Sequence, residues 1–391
     1  MKKIVSILGS TGSIGLNSLK ILNTKKNLYS FNLFAADKNY KLICDQIKEF
    51  KPKVFLINNE KIFNKVKEKF KKKKIKIINQ LNKNNFLFKL SDITIAAIPG
   101  IAGLEPTITM TQKSKKILIA NKESIICGWN LISKAAKKAN TKVIPIDSEH
   151  FSIMKLLESQ KLNNVRKIYI TASGGPFLNH NLSKLKKVSP KAALKHPKWK
   201  MGKKISIDSA SLMNKMLELV EAEKLFSVDL TKFEVVIHPE SLVHAIVEFK
   251  NGIYKLLYHE TTMTIPLANA IFENNFDLNN LAEFNKKKEI SILKNLTFLK
   301  VDPKRFPIIN LKNRIHEHYS SPIIINAVNE ILVDQFLKKK IGFMSFYKRI
   351  LDILSDRNYK KYAIRIPKNI NQVFQIDKWA RDTTYEKINI R

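Results

Sequence analysis

The sequence contains few cysteines and no long apolar runs. Cys44 and Cys127 are the only cysteines among 391 residues, which excludes a disulfide framework and a Cys-x-x-Cys metal site. No apolar stretch approaches the ~20 residues that cross a bilayer, and the run after Lys2 and Lys3 stops at Gly9, too early for a signal peptide. We therefore expect a cytoplasmic protein with no membrane partner.

Arginine is absent before Arg166, although the chain carries 70 lysines and arginines against 33 acidic residues and a formal net charge of +37. Such an excess alone favours a polyanionic partner. However, arginine is the usual bidentate reader of guanine, and the lysines here are spread along nearly every predicted helix instead of forming one stripe with aromatics. We interpret the lysine run at 71–74 as a solvated helix end, and we expect no specific nucleic-acid partner.

Glycine is also scarce, and its placement is informative. The chain has 11 glycines where a typical share of ~7% would give roughly 27, yet Gly9, Gly12 and Gly15 fall together in the motif GSTGSIG. Residues 4–8 before the motif predict a strand, and residues 16–22 after it predict a helix. Missing side chains let the backbone approach a pyrophosphate, and the N–H groups at the helix start can bind the anion. The spacing differs from the standard GxGxxG, so a plain tight turn is the alternative, but the flanking strand and helix favour a nucleotide site.

Apolar runs alternate with helical stretches beyond this loop, which predicts an α/β fold with a Rossmann-like doubly wound parallel sheet. The predicted strands are 31–36, 54–57, 75–78, 93–97, 117–120 and 143–146. Further strands at 233–238 and 244–249 indicate an additional sheet in a catalytic and dimerisation domain, and an apolar stripe on later helices indicates a C-terminal helical domain. We predict a dinucleotide-binding domain at 1–146, a catalytic domain at 147–272, a linker at 273–298 and a helical domain at 299–391.

Two carboxylates follow the last strand of the first domain. The segment KVIPI leads directly into Asp147, Ser148, Glu149 and His150. On an extended segment, residues two apart project to the same side, so Asp147 and Glu149 can converge at the strand end where ligands bind. A hard divalent cation such as Mg²⁺ or Mn²⁺ relieves the repulsion between them. The alternative is a pair of solvated loop acids.

The stretch 208–226 is interpreted as one long amphipathic helix that begins near Ser209. Asn214, Lys215 and Glu218 are three or four residues apart and share one face. In the functional interpretation, Glu218 is a third metal carboxylate, while Asn214 and Lys215 bind an anion. In the alternative interpretation, Lys215 and Glu218 simply form an ion pair.

Two loops suit the same anion. The strand before Ser173 ends in Gly174 and Gly175, which offer a hydroxyl group and exposed N–H groups to phosphate oxygens; a strand-to-loop turn is the alternative. The segment 194–204 displays Trp199 and Met201 with little periodicity. Such exposed apolar groups indicate a lid that closes over an active site, against the alternative of an ordinary buried loop anchor.

Six ordered motifs, GSTGSIG, ANKES, PIDSEH, SGGPF, HPKWKMG and DSASLMNKMLE, together with NAVNEI at 326–331, resemble those of the 1-deoxy-D-xylulose 5-phosphate reductoisomerase family. The resemblance implies a homodimeric enzyme of the non-mevalonate isoprenoid pathway. Such an enzyme isomerises 1-deoxy-D-xylulose 5-phosphate and reduces the product to 2-C-methyl-D-erythritol 4-phosphate. It uses NADPH and a divalent metal ion, Mg²⁺, Mn²⁺ or Co²⁺.

The resemblance also implies roles for individual residues. Cofactor contacts fall to Thr11, Gly12, Ser13, Ile14, Lys38, Asn39, Asn121, Glu123 and Gly202. The metal ligands are Asp147, Glu149 and Glu218, which are catalytic together with Lys122 and His196. The sugar phosphate contacts Lys122, Ser148, Glu149, Ser173, His196, Ser209, Asn214, Lys215 and Glu218. Trp199 and Met201 lie on the mobile lid.

The sequence departs from the family pattern in three places. Asp37 replaces the glycine of a Gly-Lys-Asn turn; Lys38 can still pair with the 2′-phosphate of NADPH, whereas Asp37 favours a ribose hydroxyl, as in NAD enzymes. The family's Pro-Asp-Met-Arg stretch is altered at residues 261–264, so local packing or dimer contacts are expected to differ there. Met216 replaces a glycine and raises helix propensity.

Two other classes of protein stay open at this point. A semialdehyde dehydrogenase has a similar glycine loop and would need a cysteine nucleophile, for which Cys127 is a weak candidate. A basic nucleic-acid or scaffold protein that keeps a dinucleotide fold is the non-enzymatic alternative, and the acids at Asp147, Glu149 and Glu218 speak against it.

Overall fold

The computed structural model describes residues 1–81, 90–199, 201–281, 284 and 296–389. The chain forms two compact units. The first comprises Met1–Ser124, Trp129–Phe151 and Met263–Ile292, and the second comprises Ile125–Gly128, Ser152–Thr262 and Leu293–Arg391. The finer division into four domains stays a prediction, and part of the predicted linker at 273–298 lies outside the described residues. None of the helices in the described part of the chain is long and apolar enough to cross a membrane.

Strands and helices alternate along the first part of the chain, and helices predominate towards its end. The strands are β1 (Lys3–Leu8), β2 (Tyr29–Ala36), β3 (Val54–Ile57), β4 (Lys76–Ile78), β5 (Ser91–Ala96), β6 (Ser114–Ile119), β7 (Lys142–Pro145), β8 (Val165–Ala172), β9 (Phe233–Ile237), β10 (Val243–Phe249), β11 (Tyr254–Tyr258) and β12 (Leu299–Lys300). The helices are α1 (Ser13–Asn23), α2 (Tyr40–Phe50), α3 (Glu60–Lys69), α4 (Leu104–Thr111), α5 (Lys122–Ala139), α6 (Ser148–Leu157), α7 (Leu182–Leu185), α8 (Pro190–Ala193), α9 (Lys203–Ser211), α10 (Met213–Phe226), α11 (Thr264–Phe272), α12 (Ser321–Leu337), α13 (Phe346–Leu354), α14 (Tyr359–Ala363) and α15 (Ile370–Asn389).

The first unit is built on a seven-stranded parallel sheet in the order β4-β3-β2-β1-β5-β6-β7. Helices follow the strands, as in a doubly wound fold, so the predicted fold class is confirmed. The strands form continuous apolar runs because helices cover both faces: all four residues of β3 are buried. The strand order reverses at β1, which pairs with both β2 and β5, and ligands bind at the carboxyl ends of strands at such a point.

The second unit contains a five-stranded sheet in the order β11-β10-β8-β9-β12. Strands β8 and β9 run parallel, while β10, β11 and β12 pair antiparallel with their neighbours. The strands predicted at 233–238 and 244–249 therefore belong to one additional sheet, as expected. The chain after β12 is helical, and α12 is buried on almost every side, including the apolar residues Ala327, Ile331, Val333 and Phe336.

The prediction of one continuous helix from Ser209 to Phe226 is wrong. Helix α9 already begins at Lys203, and the chain breaks at Leu212, whose φ of 64° and ψ of 9° lie in the left-handed region. Leucine adopts this conformation at a cost of about 1–3 kcal/mol. Its side chain is 1% exposed, so packing offsets that cost. The sequence has no glycine or proline at the break, which is why the pattern concealed it.

Candidate active site

The glycine loop joins β1 to α1 at the point where the strand order reverses. Gly9 has a φ of 85°, and a Cβ atom there would lie 2.6 Å from the carbonyl oxygen of Ala97, which follows β5. At Gly15, a Cβ atom would lie 2.6 Å from Cα of Ser10 and would also meet the carbonyl oxygen of Gly9. Gly12 has no such close neighbour and is exposed with Ser13. Two glycines are thus required by the fold of the loop, whereas Gly12 leaves space for a ligand.

A polar pair that the sequence did not reveal holds this loop. The hydroxyl group of buried Ser10 donates a hydrogen bond to Gln46 Oε1 at 2.7 Å, and Gln46 Nε2 donates one to the Ser10 carbonyl oxygen at 2.8 Å. Gln46 lies on α2, and its exposed fraction is only 4%. A glutamine on the otherwise apolar face of α2 is the signal that could have predicted this contact.

The predicted cofactor residues at the end of β2 lie beside the glycine loop in the sheet, because β1 and β2 are neighbours. Lys38 is exposed, and its ammonium group is 3.8 Å from the Asp37 carboxylate. The Asn39 side chain accepts a hydrogen bond from the backbone N–H of Leu42 at 3.1 Å and caps α2. Asn39 therefore has a structural role, while Lys38 can reach an anion.

Asn121 caps α5 and ties it to the loop after β5. Its Oδ1 accepts a hydrogen bond from Ser124 N at 2.9 Å, and its Nδ2 donates to the carbonyl oxygens of Ile98 and Gly100. The side-chain amide of Asn121 is thus bonded to the backbone and stabilises the loop after β5. Glu123 lies one residue into the same helix and is buried.

The carboxylate pair occupies the start of a helix. The prediction that Asp147 and Glu149 lie on an extended segment is wrong, because α6 begins at Ser148 and the Asp147 carbonyl oxygen accepts the N–H of Phe151 at 2.8 Å. The two acids nevertheless converge, since one carboxylate oxygen of each lies within 4.8 Å of the other. The Ser148 hydroxyl group donates to Glu149.

A buried lysine neutralises this pair in part. The ammonium group of Lys122 is 3.2 Å from Asp147 Oδ2, and Lys122 is 6% exposed. Burial opposes ionisation of Asp147, but the charge of Lys122 and the hydrogen bond and charge of His150 outweigh it and hold the pKa of Asp147 well below its usual value. Asp147 is therefore an ionised carboxylate, the form that binds a metal ion.

In the second unit, the loop after β8 packs against α9. Gly175 has a φ of 63°, and a Cβ atom there would lie 3.0 Å from Cα of Ala210 and 3.1 Å from the carbonyl oxygen of Ser209. The Ser173 hydroxyl group accepts the N–H of Gly175 at 3.1 Å. The structure thus brings the predicted phosphate residues Ser173 and Ser209 onto adjoining segments.

His196 joins the lid segment to this loop. Its Nδ1 accepts the N–H groups of Lys198 at 3.2 Å and Trp199 at 2.9 Å, so the proton resides on Nε2, which donates to the Ser173 hydroxyl group at 3.0 Å. Burial, with a smaller effect of the Lys215 ammonium group, lowers the pKa of His196 to about 4. The ring is therefore neutral near pH 7.

Helix α10 carries the remaining predicted residues. Glu218 is 1% exposed and accepts a hydrogen bond from Lys215 Nζ at 2.8 Å and another from Asn214 Nδ2. The ion pair of the alternative interpretation is thus present. The same contacts place an ammonium group, an amide and a carboxylate at one point, which suits both an anion and a metal ion.

The lid segment contacts His244, which stacks on a second histidine. The Trp199 indole meets the His244 ring edge to face at 6.2 Å, and His244 stacks on His259 at 3.8 Å. Burial lowers the pKa of His259. His238 Nε2 accepts the N–H groups of Leu242 and Val243 at 3.1 Å, which is a structural role. Gly202 caps α9 after Met201.

The semialdehyde dehydrogenase interpretation finds no support at Cys127. This thiol is buried at 3% exposure, and its Sγ lies 3.9 Å from Nδ2 of Asn326 in the second unit. A nucleophilic cysteine needs access to its substrate.

A glycine loop at the point where the strand order of a parallel sheet reverses is typical of a dinucleotide-dependent oxidoreductase. Residues 5–128 match the family model of 1-deoxy-D-xylulose 5-phosphate reductoisomerase, and residues 143–226 and 259–383 match models of its C-terminal domains. The chain belongs to the 1-deoxy-D-xylulose 5-phosphate reductoisomerase family.

Individual relatives agree with this membership. The reductoisomerase of Pelagibacter ubique is 43% identical over 384 residues, which cover 97% of this chain and 98% of the relative. The enzyme of Zymomonas mobilis, solved in complex with NADPH, is 32% identical with a TM-score of 0.88, and 99% of each chain is covered. A reductoisomerase solved with NADPH, fosmidomycin and magnesium is 29% identical with a TM-score of 0.90, covering 99% of this chain and 98% of the other.

Proposed function

We propose that the protein isomerises 1-deoxy-D-xylulose 5-phosphate and reduces the product to 2-C-methyl-D-erythritol 4-phosphate, with NADPH as the hydride donor and a divalent metal ion. This is a step in the supply of isoprenoid precursors by the non-mevalonate route. The observation that carries the proposal is the Lys122–Asp147 ion pair of 3.2 Å beside Glu149, in a chain of this family. Ionised oxygens and an ammonium group are what the rearrangement of an α-hydroxyketone phosphate requires.

Asp147, Glu149 and Glu218 are the proposed metal ligands. The first two fit a hard cation because their carboxylate oxygens lie within 4.8 Å of each other and Asp147 is ionised. Glu218 is a buried carboxylate that already attracts a cationic group, Lys215. When bound, a divalent ion stabilises as a Lewis acid the negative charge that builds on two adjacent substrate oxygens.

Lys122 supplies a second positive charge to the same oxygens. Its ammonium group is buried beside Asp147, so its field is screened less than that of a surface lysine. A fixed charge in such a position needs no reorganisation when charge develops in the transition state. Ser148, one residue after Asp147, is proposed to contact the substrate.

Ser173, Ser209, Asn214 and Lys215 are the proposed phosphate ligands. They lie on the loop after β8 and on α9 and α10, and Gly175 packs directly against Ser209. The phosphate does not react, so its binding energy is available to orient the substrate and to close the site. Neutral His196 holds Ser173 and the backbone of the lid, and Trp199 and Met201 exclude water when the lid closes.

The glycine loop is proposed to hold the pyrophosphate of NADPH, through Thr11, Gly12, Ser13 and Ile14. Exposed Lys38 at the end of β2 is proposed to pair with the 2′-phosphate, and this pairing selects NADPH over NADH. Asn121 and Glu123 on α5, and Gly202 at the start of α9, are the remaining proposed cofactor residues.

A homodimer is proposed to form through the sheet of the second unit. Strand β11 ends this sheet, and Tyr254 and Leu256 on it, with Ile253 just before it, are 57%, 45% and 53% exposed. An apolar edge strand of this kind pairs with a second chain unless it is protected. A cytoplasmic location stays a prediction from the sequence.

The test is NADPH oxidation with 1-deoxy-D-xylulose 5-phosphate, followed in the absorbance of the reduced nicotinamide. We expect turnover that depends on Mg²⁺ or Mn²⁺, stops with a chelator and returns when the metal is restored. NADPH oxidation that continues in excess chelator, or no turnover with either metal, would contradict the proposal. Omission of the sugar phosphate is the control for background oxidation.

A further inference from the structure

The NAVNEI motif at 326–331 lies on α12 and has no part in the function proposed above. Its second asparagine, Asn329, is fully buried and faces α9. There its Nδ2 donates a hydrogen bond of 2.8 Å to Oδ1 of Asp208, which is fully buried as well. Asn326 of the same motif contacts Glu330 and Cys127 instead.

Asp208 is held from a second side. The ammonium group of Lys204, one turn earlier on α9, lies 2.8 Å from its Oδ2. A buried carboxylate destabilises a fold unless charges and hydrogen bonds compensate it. Lys204 on α9 compensates one carboxylate oxygen of Asp208, and Asn329 on α12 compensates the other. The Asn329 bond therefore fixes the rotation of α9 relative to α12.

The orientation of α9 determines where the proposed phosphate ligands lie. Ser209 follows Asp208 directly, and its carbonyl oxygen would be 3.1 Å from a Cβ atom at Gly175, so α9 packs closely against the loop that carries Ser173. Leu212 then turns the chain sharply into α10, whose first turn carries two other proposed phosphate ligands, Asn214 and Lys215. A small rotation of α9 would move Ser209 away from the Ser173 loop and from the start of α10.

We propose that Asp208 and Asn329 are positioning residues for the substrate phosphate. They act by holding α9 in the orientation in which Ser209 faces the Ser173 loop and the start of α10. The inference rests on the proposed function, since it concerns the phosphate of the same substrate. Neither side chain is proposed to contact the substrate itself.

The test compares Asn329→Ala with Asn326→Ala, a matched loss of a buried amide from the same helix and motif. We expect Asn329→Ala to raise the KM for 1-deoxy-D-xylulose 5-phosphate about tenfold, because a misplaced Ser209 would lose one hydrogen bond to the charged phosphate. The KM for NADPH should stay within about twofold. Asn326→Ala should lower the melting temperature and leave both KM values within about twofold.

A purely structural role would give a different pattern. Equal KM values for the two alanine variants, or an equal rise in the KM for NADPH, would overturn the inference while the proposed function stands. A wild-type chain without turnover on this substrate would overturn the proposed function itself. If Asn329→Ala does not fold, Asn329→Ser is measured against the same criteria.

Discussion

Gly15 gives the sharpest prediction about the dinucleotide loop, because the structure leaves no room for a side chain there. A Cβ atom at Gly15 would lie 2.6 and 2.7 Å from Cα and C of Ser10, and these are backbone atoms that cannot rotate away. The start of α1 or the loop itself must move. We expect Gly15→Ala to lower the free energy of unfolding by about 3 kcal/mol, the upper range for overpacking.

The control is Gly12→Ala in the same loop. Gly12 has a φ of −81°, and its nearest neighbour to an added Cβ atom would be the Gly9 carbonyl oxygen at 3.4 Å. We expect this variant to change stability by less than about 1 kcal/mol. Its methyl group would instead occupy the proposed pyrophosphate site and weaken NADPH binding.

Urea unfolding and NADPH titration separate the two effects. The expected pattern is loss of stability for Gly15→Ala and loss of cofactor affinity alone for Gly12→Ala. A Gly15→Ala protein as stable as the wild type would refute the packing argument, and unchanged NADPH affinity in Gly12→Ala would refute the proposed use of the loop.

Three further predictions concern single side chains of the site. Lys215→Ala should raise the KM for the sugar phosphate by about tenfold or more in steady-state kinetics, with an equal KM in both proteins as the contrary result. Lys38→Ala should raise the KM for NADPH about tenfold and leave that for NADH unchanged; a parallel rise for both cofactors would exclude a 2′-phosphate contact. Because burial lowers the pKa of His196 from 6.5 to about 4, the unfolded chain binds the additional proton between these values, so stability should fall as the pH drops from 6.5 towards 4. Unfolding free energies should show a shallower acid loss in His196→Gln, and an identical pH profile would contradict the assignment.

The parallel sheet was predictable because its signal is local. Each strand is a short apolar run, such as the four buried residues of β3, bounded by polar or glycine positions. The motifs also placed Ser173 directly after a strand and Lys215 on a helix, as in β8 and α10. Such features depend on neighbours in the chain, so they can be predicted without knowledge of the tertiary contacts.

The errors in the predictions arose where tertiary contacts determine the local structure. Leu212 breaks a helix without glycine or proline because its side chain is buried, and Asp147 starts α6 instead of ending an extended strand. The Ser10–Gln46 and Asp208–Asn329 bonds join residues 36 and 121 positions apart. Side-chain pairing over such separations has no periodic signature.

The central claim is that carboxylates from two separate parts of the chain bind one metal ion. The most direct test is Mn²⁺ binding by calorimetry to the wild type, Asp147→Asn, Glu218→Gln and the double variant. Glu223→Gln, on the same helix as Glu218, is the control. We predict one ion per chain, a loss of about 100-fold or more in affinity for each single variant, and little further loss in the double variant. Wild-type Mn²⁺ affinity in Glu218→Gln, with affinity lost only in Asp147→Asn, would contradict the claim.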